Sequence, residues 1–136
     1  MILGVSVKRF LLVAAVLLAL SAGCGRMQAS GGAPQDGFAV TLTAQPAIPV
    51  VGEGTLLVGL RDPAGQPVTD ARLHVEGNMS HAGMQPAFGK VTAAAEGQYT
   101  IAIPWTMAGD WYVDITATLT DGRVIARRFP IAVHVK

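Results

Sequence analysis

Short alternating apolar runs, each closed by Gly, Pro or Asp, fill residues 38–135 and constrain the fold more than any other feature. The run 38–43 alternates apolar with small or polar residues, and prolines follow it at Pro46 and Pro49. A period of two residues is typical of a strand with one buried face, and proline interrupts strand pairing. Further runs of this kind lie at 55–60, 71–76, 90–93, 98–103, 111–117 and 124–135, the last interrupted at Pro130.

This pattern, without any helical segment after residue 23, predicts an all-β fold, a small immunoglobulin-like antiparallel β-sandwich of about seven strands. Residues 38–136 are enough for one core and too few for two domains. We expect Leu, Val and Ile with Trp111 and Phe129 to form that core. In the third run, His74 should point to solvent. The turn formers at 61–67 predict a hairpin-like connection.

The N-terminus has the parts of an export signal. Lys8 and Arg9 precede an apolar run at 10–20, which is shorter than the roughly 20 residues of a membrane span, and small residues follow. The sequence LSAGC at 20–24 resembles the lipobox of bacterial lipoproteins. It predicts a lipoprotein signal peptide at 1–23 and lipidation of Cys24. Two alternatives stay open: an ordinary signal peptide with an incidental cysteine, and an uncleaved anchor.

These features predict an exported protein, lipid-anchored at Cys24 to a membrane of the cell envelope, on its periplasmic or extracytoplasmic face. Residues 24–37, the lipidated Cys and a Gly-, Ser- and Pro-rich stretch, form a flexible tether of about 20 Å. Without residues 1–23 the chain holds 8 basic and 9 acidic residues, a net charge of −1. The absence of a basic cluster beyond Arg127 and Arg128 excludes nucleic acid as a partner.

The segment 78–86 places two thioethers and an imidazole within six residues of a predicted loop. Thioether sulfur is neutral and polarizable, so it suits a soft monovalent cation such as Cu(I), whereas hard ions prefer oxygen ligands. A second predicted loop, 105–110, contributes another thioether, and its Trp105 would stack near the ion or shield it. The predicted metal ligands for Cu(I) are Met79, His81, Met84 and Met107.

The same residues fit a second interpretation. Methionine often fills gaps in packing, so Met79 and Met84 would close the open end of the sandwich while His81 is a solvated loop residue. His134, alone in the last run, is expected to face solvent rather than to bind metal. Ser80 and His81 are sequence neighbours without a third partner, and carboxylates are scattered singly, which predicts that the chain is not an enzyme.

Four short motifs occur in a fixed order: PVTDA at 67–71, MSHAGM at 79–84, EGQY at 96–99 and MAGDW at 107–111. Together they resemble the YtkA-like domain, which is related to the FixH group of cytochrome oxidase accessory proteins. The resemblance implies an immunoglobulin-like sandwich exported to the cell envelope, often as a lipoprotein or beside metal efflux adaptors, and often linked to copper. FixH-type members keep a membrane anchor, and a lipobox at Cys24 departs from them.

The predicted function is therefore that of an envelope-anchored copper-handling protein, a metal chaperone for copper oxidase assembly or copper efflux. The partners that the resemblance implies are a copper oxidase subunit, a metal efflux component or another copper protein. The segment 62–71 is also similar to transthyretin-like and carboxypeptidase regulatory-like modules, which are structural sandwiches. The competing hypothesis is a non-metal structural or protein-interaction module of the envelope, whose Met/His loop contacts a protein.

Overall fold

The computed structural model describes residues 36–136, so the predicted signal peptide, Cys24 and most of the predicted tether lie outside the described residues. Seven strands and no helix occur in this range. The strands are β1 (Ala39–Gln45), β2 (Gly52–Arg61), β3 (Arg72–Met79), β4 (Ala87–Ala95), β5 (Gln98–Trp105), β6 (Gly109–Thr118) and β7 (Val124–Val133). The predicted all-β fold, an immunoglobulin-like antiparallel sandwich, is confirmed.

All neighbouring strands pair antiparallel, in the order β1-β2-β5-β4-β3-β6-β7. One layer contains β1, β2 and β5, and the other contains β3, β6 and β7. Strand β4 joins the two, because Ala87 to Gly89 pair with β3 while the strand pairs with β5 from Lys90 onward. A register shift between Val91 and Ala93 accompanies the change of partner. Such bulges bend a strand, which lets β4 pass between layers.

The core lies between the layers, where alternate side chains of the four central strands are buried. Trp111 belongs to it as predicted, whereas Phe129 is only partly buried against it because β7 is an edge strand. The largest fully buried side chains are Trp105, Leu56, Leu60, Ile101, Ile103, Ile115, Val58, Val75 and Val113. His74, on the opposite face of β3, is exposed as expected.

The strands place every connection at one of two ends. The upper end holds residues 46–51, 80–86, 106–108 and 134–136, and the lower end holds 36–38, 62–71, 96–97 and 119–123. At the upper end, the Val51 amide donates to the His134 carbonyl and the His134 amide to the Pro49 carbonyl, both at 2.9 Å. At the lower end, the Arg127 guanidinium binds the Asp36 carboxylate, which lowers the pKa of Asp36.

Two sequence predictions about turns and breaks have different outcomes: the hairpin-like turn at 61–67 is present, and the interruption at Pro130 is wrong. Arg61 and Pro67 form an antiparallel bridge, and the Asp62 amide donates to the Gln66 carbonyl at 2.9 Å, so a hairpin-like turn is present as predicted. It does not pair β2 with β3, because these strands lie in different layers and the connection crosses from one to the other. The turn formers act within this connection, where the Asp62 carboxylate accepts from the Ala64 and Gln66 amides, both at 2.9 Å. Strand β7 is not interrupted at Pro130, since proline is compatible with an edge strand.

The buried Tyr99 of β5 fastens this crossing connection. Its hydroxyl donates to the Val68 carbonyl at 2.8 Å and accepts from the Ala71 amide at 3.1 Å. Burial raises the pKa of Tyr99, because a phenolate would lose solvation there. The motif EGQY therefore has a structural reason: it places this phenol against the β2–β3 connection.

We expect Tyr99→Phe to lower the free energy of unfolding by about 1–3 kcal/mol, because it leaves the Val68 carbonyl and the Ala71 amide without their partner. The measurement is urea denaturation at neutral pH, with Tyr112→Phe as the matched control. The Tyr112 ring lies on the outer face of β6, 4.1 Å from the Arg128 guanidinium, and its substitution should change stability little. An equal loss in the two variants would contradict this role of Tyr99.

Candidate metal-binding site

Met79 is the last residue of β3, opposite Trp111 of β6. The prediction that it lies in a loop is wrong, because β3 and β6 continue to pair up to this residue. Its side chain points inward and is only 7% exposed. Its terminal methyl lies beside Gly109, where a Cβ would be 2.6 Å from Met79 Cε. Gly109 thus permits the close approach of the Met79 thioether to the start of β6.

His81 and Met84 belong to the β3–β4 connection, residues 80–86. The Met84 amide donates to the His81 carbonyl at 3.4 Å, and Gly83 between them has a φ of 80°. This positive φ suits glycine and turns the chain back toward the sandwich. The His81 side chain is exposed, while Met84 is half-buried and packs against the core.

Met107 lies in the β5–β6 connection, residues 106–108, and its side chain is 44% exposed. Its backbone carbonyl accepts a hydrogen bond from the Trp111 indole Nε1 at 3.0 Å. Since Trp111 pairs with Met79, this bond fastens the 106–108 connection to the strand pair that carries Met79. The two loops that hold His81, Met84 and Met107 therefore lie at the same end of this strand pair.

Trp105 is not a loop residue, contrary to the prediction. It ends β5 and is buried. Its ring centroid lies 5.3 Å from that of Trp111, with an interplanar angle of 71°, an edge-to-face contact. Such pairs add roughly 0.5–1.5 kcal/mol beyond the area that they bury. The two buried indoles pack directly beneath the loops of the upper end.

All four predicted ligands thus lie at the upper end, but their side chains differ in exposure to solvent. Met79 points into the core, Met84 is half-buried, and His81 and Met107 face outward. The donor groups are neutral thioethers and one imidazole. Within residues 36–136, no group of three or more His, Cys, Asp or Glu side chains could hold a metal ion.

The other two histidines are not among the predicted ligands. His74, on the outer face of β3, has its Nε2 3.6 Å from a Glu76 carboxylate oxygen and its ring tilted against Phe88. His134 follows β7, is exposed as expected, and takes part in the backbone pairing of the upper end.

Sequence reasoning missed the residues that support the site. Gly109 gives the Met79 thioether its space, and the Trp111 indole holds the Met107 loop. The signal was present in the motif MAGDW, which contains both residues directly after Met107. Also missed were the exposed Ile48 and Val135, which lie with Met107 at the upper end.

A family model described as YtkA-like matches residues 32–116, more than half of the chain. The chain belongs to the YtkA-like family. The matched region includes β1 to β5, nearly all of β6 and the four predicted ligands. The family resemblance is therefore confirmed, while the relation to the FixH group and the lipoprotein signal stay predictions.

Similar solved structures include the soluble domain of PmoD from Methylocystis sp. ATCC 49242 (Rockwell), at 15% identity and a TM-score of 0.45, covering 74% of this chain and 93% of that one. Murine CRIg matches at 15% identity and a TM-score of 0.41, with 72% and 98% covered. The C-terminal domain of ZirS matches at 10% identity and a TM-score of 0.44, with 99% and 94% covered. Likenesses at this distance carry no functional argument.

No curated protein matches the YtkA-like chain significantly. In the part of the chain that the structure describes, no helix has the length and apolar character needed to cross a membrane.

Proposed function

We propose that this YtkA-like protein is a non-catalytic copper-handling protein of the cell envelope, which binds Cu(I) at the upper end of its sandwich and passes it to a partner. The observation that carries the proposal is that the inward-facing Met79 of β3 and the soft donors of the 80–86 and 106–108 connections lie at the same end of the sandwich. The proposed ligands are Met79, His81 and Met84, with Met107 as a further thioether.

The donor chemistry supports a soft monovalent ion. Cu(I) prefers thioether, thiolate and imidazole ligands, and three or four of them complete its coordination. Two thioethers and an imidazole form such a set without thiolate. In this proposal Cu(I) is cargo rather than a resident cofactor. The exposed His81 and Met107 make the ion accessible to ligand exchange with a copper oxidase subunit, an efflux component or another copper protein.

Burial of Met79 favours a second candidate, a protein-interaction module of the envelope. In that function Met79 and the half-buried Met84 complete the packing of the core beneath the loops. The exposed Ile48, Met107 and Val135 of the upper end would then contact a protein partner. The two candidates differ in whether the thioethers bind a metal ion.

An anaerobic Cu(I) competition titration against a chromogenic chelator separates them. We expect the native protein to take up one equivalent of Cu(I), and a variant with His81→Gln, Met84→Leu and Met107→Leu to lose it. These three positions lie in loops outside the strands, so the variant should keep its fold. His74→Gln, on the outer face of β3, is the control and should bind as the native protein does.

Met79→Leu, measured in the same titration, tests the buried thioether separately. Leu keeps the apolar volume at this core position, so a loss of Cu(I) affinity with unchanged stability would identify Met79 as a ligand. Failure of the native protein to compete with the chelator would refute copper handling and leave the interaction module.

A further inference from the structure

The three thioethers at the upper end are graded in solvent access. Met107 is 44% exposed, Met84 is half-buried, and Met79 is 7% exposed. We propose that Met107 is a site of reversible oxidation to methionine sulfoxide by peroxides, and that this modification weakens the Cu(I) site. The regulatory part rests on the proposed function, whereas the selective oxidation of Met107 rests on the structure alone.

The backbone that carries the exposed Met107 side chain is held by a hydrogen bond to the core. Its carbonyl accepts from the Trp111 indole at 3.0 Å, and Trp111 itself is buried against Trp105. The backbone of the 106–108 connection is therefore fastened to the core, while the Met107 side chain extends from it into solvent. Because Met107 is the most exposed of the three thioethers, we expect a peroxide molecule to reach its sulfur without any opening of the sandwich.

The reaction balances with hydrogen peroxide as the oxidant. A lone pair of the Met107 sulfur attacks one peroxide oxygen, an S–O bond forms, the O–O bond breaks, and the departing hydroxide becomes water by proton transfer. The thioether loses two electrons and the peroxide gains them. Oxidation converts an apolar soft donor into a polar group, and methionine sulfoxide reductases reverse the change. The sulfoxide presents oxygen, a harder donor that Cu(I) disfavours.

The position of each sulfur decides what its oxidation would do. A sulfoxide at Met107 stays in solvent, so the sandwich keeps its stability while the upper end loses one soft ligand. A sulfoxide at Met79 would place a polar S=O group in the core beside Gly109 and the aromatic pair, where an unpaired polar group is costly. Met107 is therefore the thioether whose oxidation changes metal binding without unfolding the domain.

The first experiment is a graded exposure of the metal-free protein to hydrogen peroxide, followed by mass spectrometry of peptides that separate Met79, Met84 and Met107. We expect Met107 to oxidise first, Met84 next and Met79 last. Ag(I), a soft and redox-inert ion, is then added before the peroxide and should slow oxidation of Met107 if its sulfur is a ligand. Equal rates at Met107 and Met79 would overturn the proposal.

The second experiment measures Ag(I) affinity before and after peroxide at the dose that oxidises Met107 but neither Met84 nor Met79. We expect a decrease of about 10- to 100-fold, the range known for loss of groups that support a metal site, and recovery after treatment with a methionine sulfoxide reductase. The variant Met107→Leu should show no further decrease after the same dose, and Met84→Leu should still show it.

The two failures can be told apart. If the native protein does not bind Ag(I) before oxidation, copper handling is refuted, and with it the regulation of a metal site. If the native protein binds Ag(I) but full oxidation of Met107 leaves the affinity unchanged, copper handling stands and the regulatory inference is refuted.

Discussion

Trp111→Ala is expected to lower the free energy of unfolding by about 3–5 kcal/mol, the cost of removing a large aromatic side chain from a core. The buried indole makes the edge-to-face contact with Trp105, and its Nε1 donates to the Met107 carbonyl. The substitution therefore opens a cavity beneath the upper end and also releases the 106–108 connection. The measurement is equilibrium denaturation, followed by circular dichroism at several urea concentrations.

Phe88→Ala is the matched control, since it also removes an aromatic ring from a strand. The Phe88 side chain is 57% exposed on β4, so its loss should cost much less than that of Trp111. A second variant, Trp111→Phe, keeps an aromatic ring but removes the indole donor, and separates the packing effect from the release of Met107. Similar losses of unfolding free energy for Phe88→Ala and Trp111→Ala would show that Trp111 is not a central residue of the core.

Gly97→Ala is expected to lower the free energy of unfolding by about 3 kcal/mol, because two unfavourable effects add up at this position. Gly97 has a φ of 76°, a left-handed conformation that penalises any Cβ. A Cβ there would also lie 2.8 Å from the Leu60 carbonyl oxygen and 2.7 Å from Pro67 Cβ. The Gly97 carbonyl accepts from the Leu60 amide at 2.8 Å, so neither chain can move away without losing that bond.

Gly65→Ala isolates the conformational part of this effect, so that its difference from Gly97→Ala gives the steric part. Gly65 has a φ of 79°, close to that of Gly97, but a Cβ built on it meets no atom within 4 Å. We therefore expect Gly65→Ala to lower the free energy of unfolding only by the conformational penalty, about 1–2 kcal/mol. Thermal denaturation of the two variants side by side gives the difference, and equal melting temperatures would disprove the crowding at Gly97.

The sequence was sufficient for the number and kind of elements, because alternation reports directly on which residues face the core. Strand β3 illustrates this, with Val75 inward and His74 outward as the period of two residues predicts. The ends of the strands were harder to predict from the sequence. Alternation stops being visible at Gly77, where a small residue stands at an inward position, so β3 was predicted to end before Met79.

Connectivity between layers could not be predicted from local patterns. Turn formers at 62–67 describe a tight bend equally well whether the next strand returns beside β2 or crosses to the other layer. The crossing depends on contacts distant in sequence, above all the hydrogen bonds of Tyr99 with Val68 and Ala71. For the same reason the change of partner in β4 has no local signature.

The sequence predicted which residues make up the candidate site, but not how deeply each side chain is buried. The spacing of Met79, His81 and Met84 brought soft donors into one segment, and the predicted loop at Met107 does lie beside them. Which thioethers are buried depends on Gly109 and on the two indoles packed below the loops. Those contacts come from β5 and β6, so no inspection of residues 78–86 alone could reveal them.

The chain enters the sandwich at the lower end, through the Asp36–Arg127 ion pair, whereas the thioethers lie at the upper end. The ten residues of β7 separate the two ends by about 30 Å. The residues before Asp36 therefore join the domain at the end opposite the thioethers. A molecule that contacts the upper end therefore meets the domain about 30 Å from the point where the preceding residues join it.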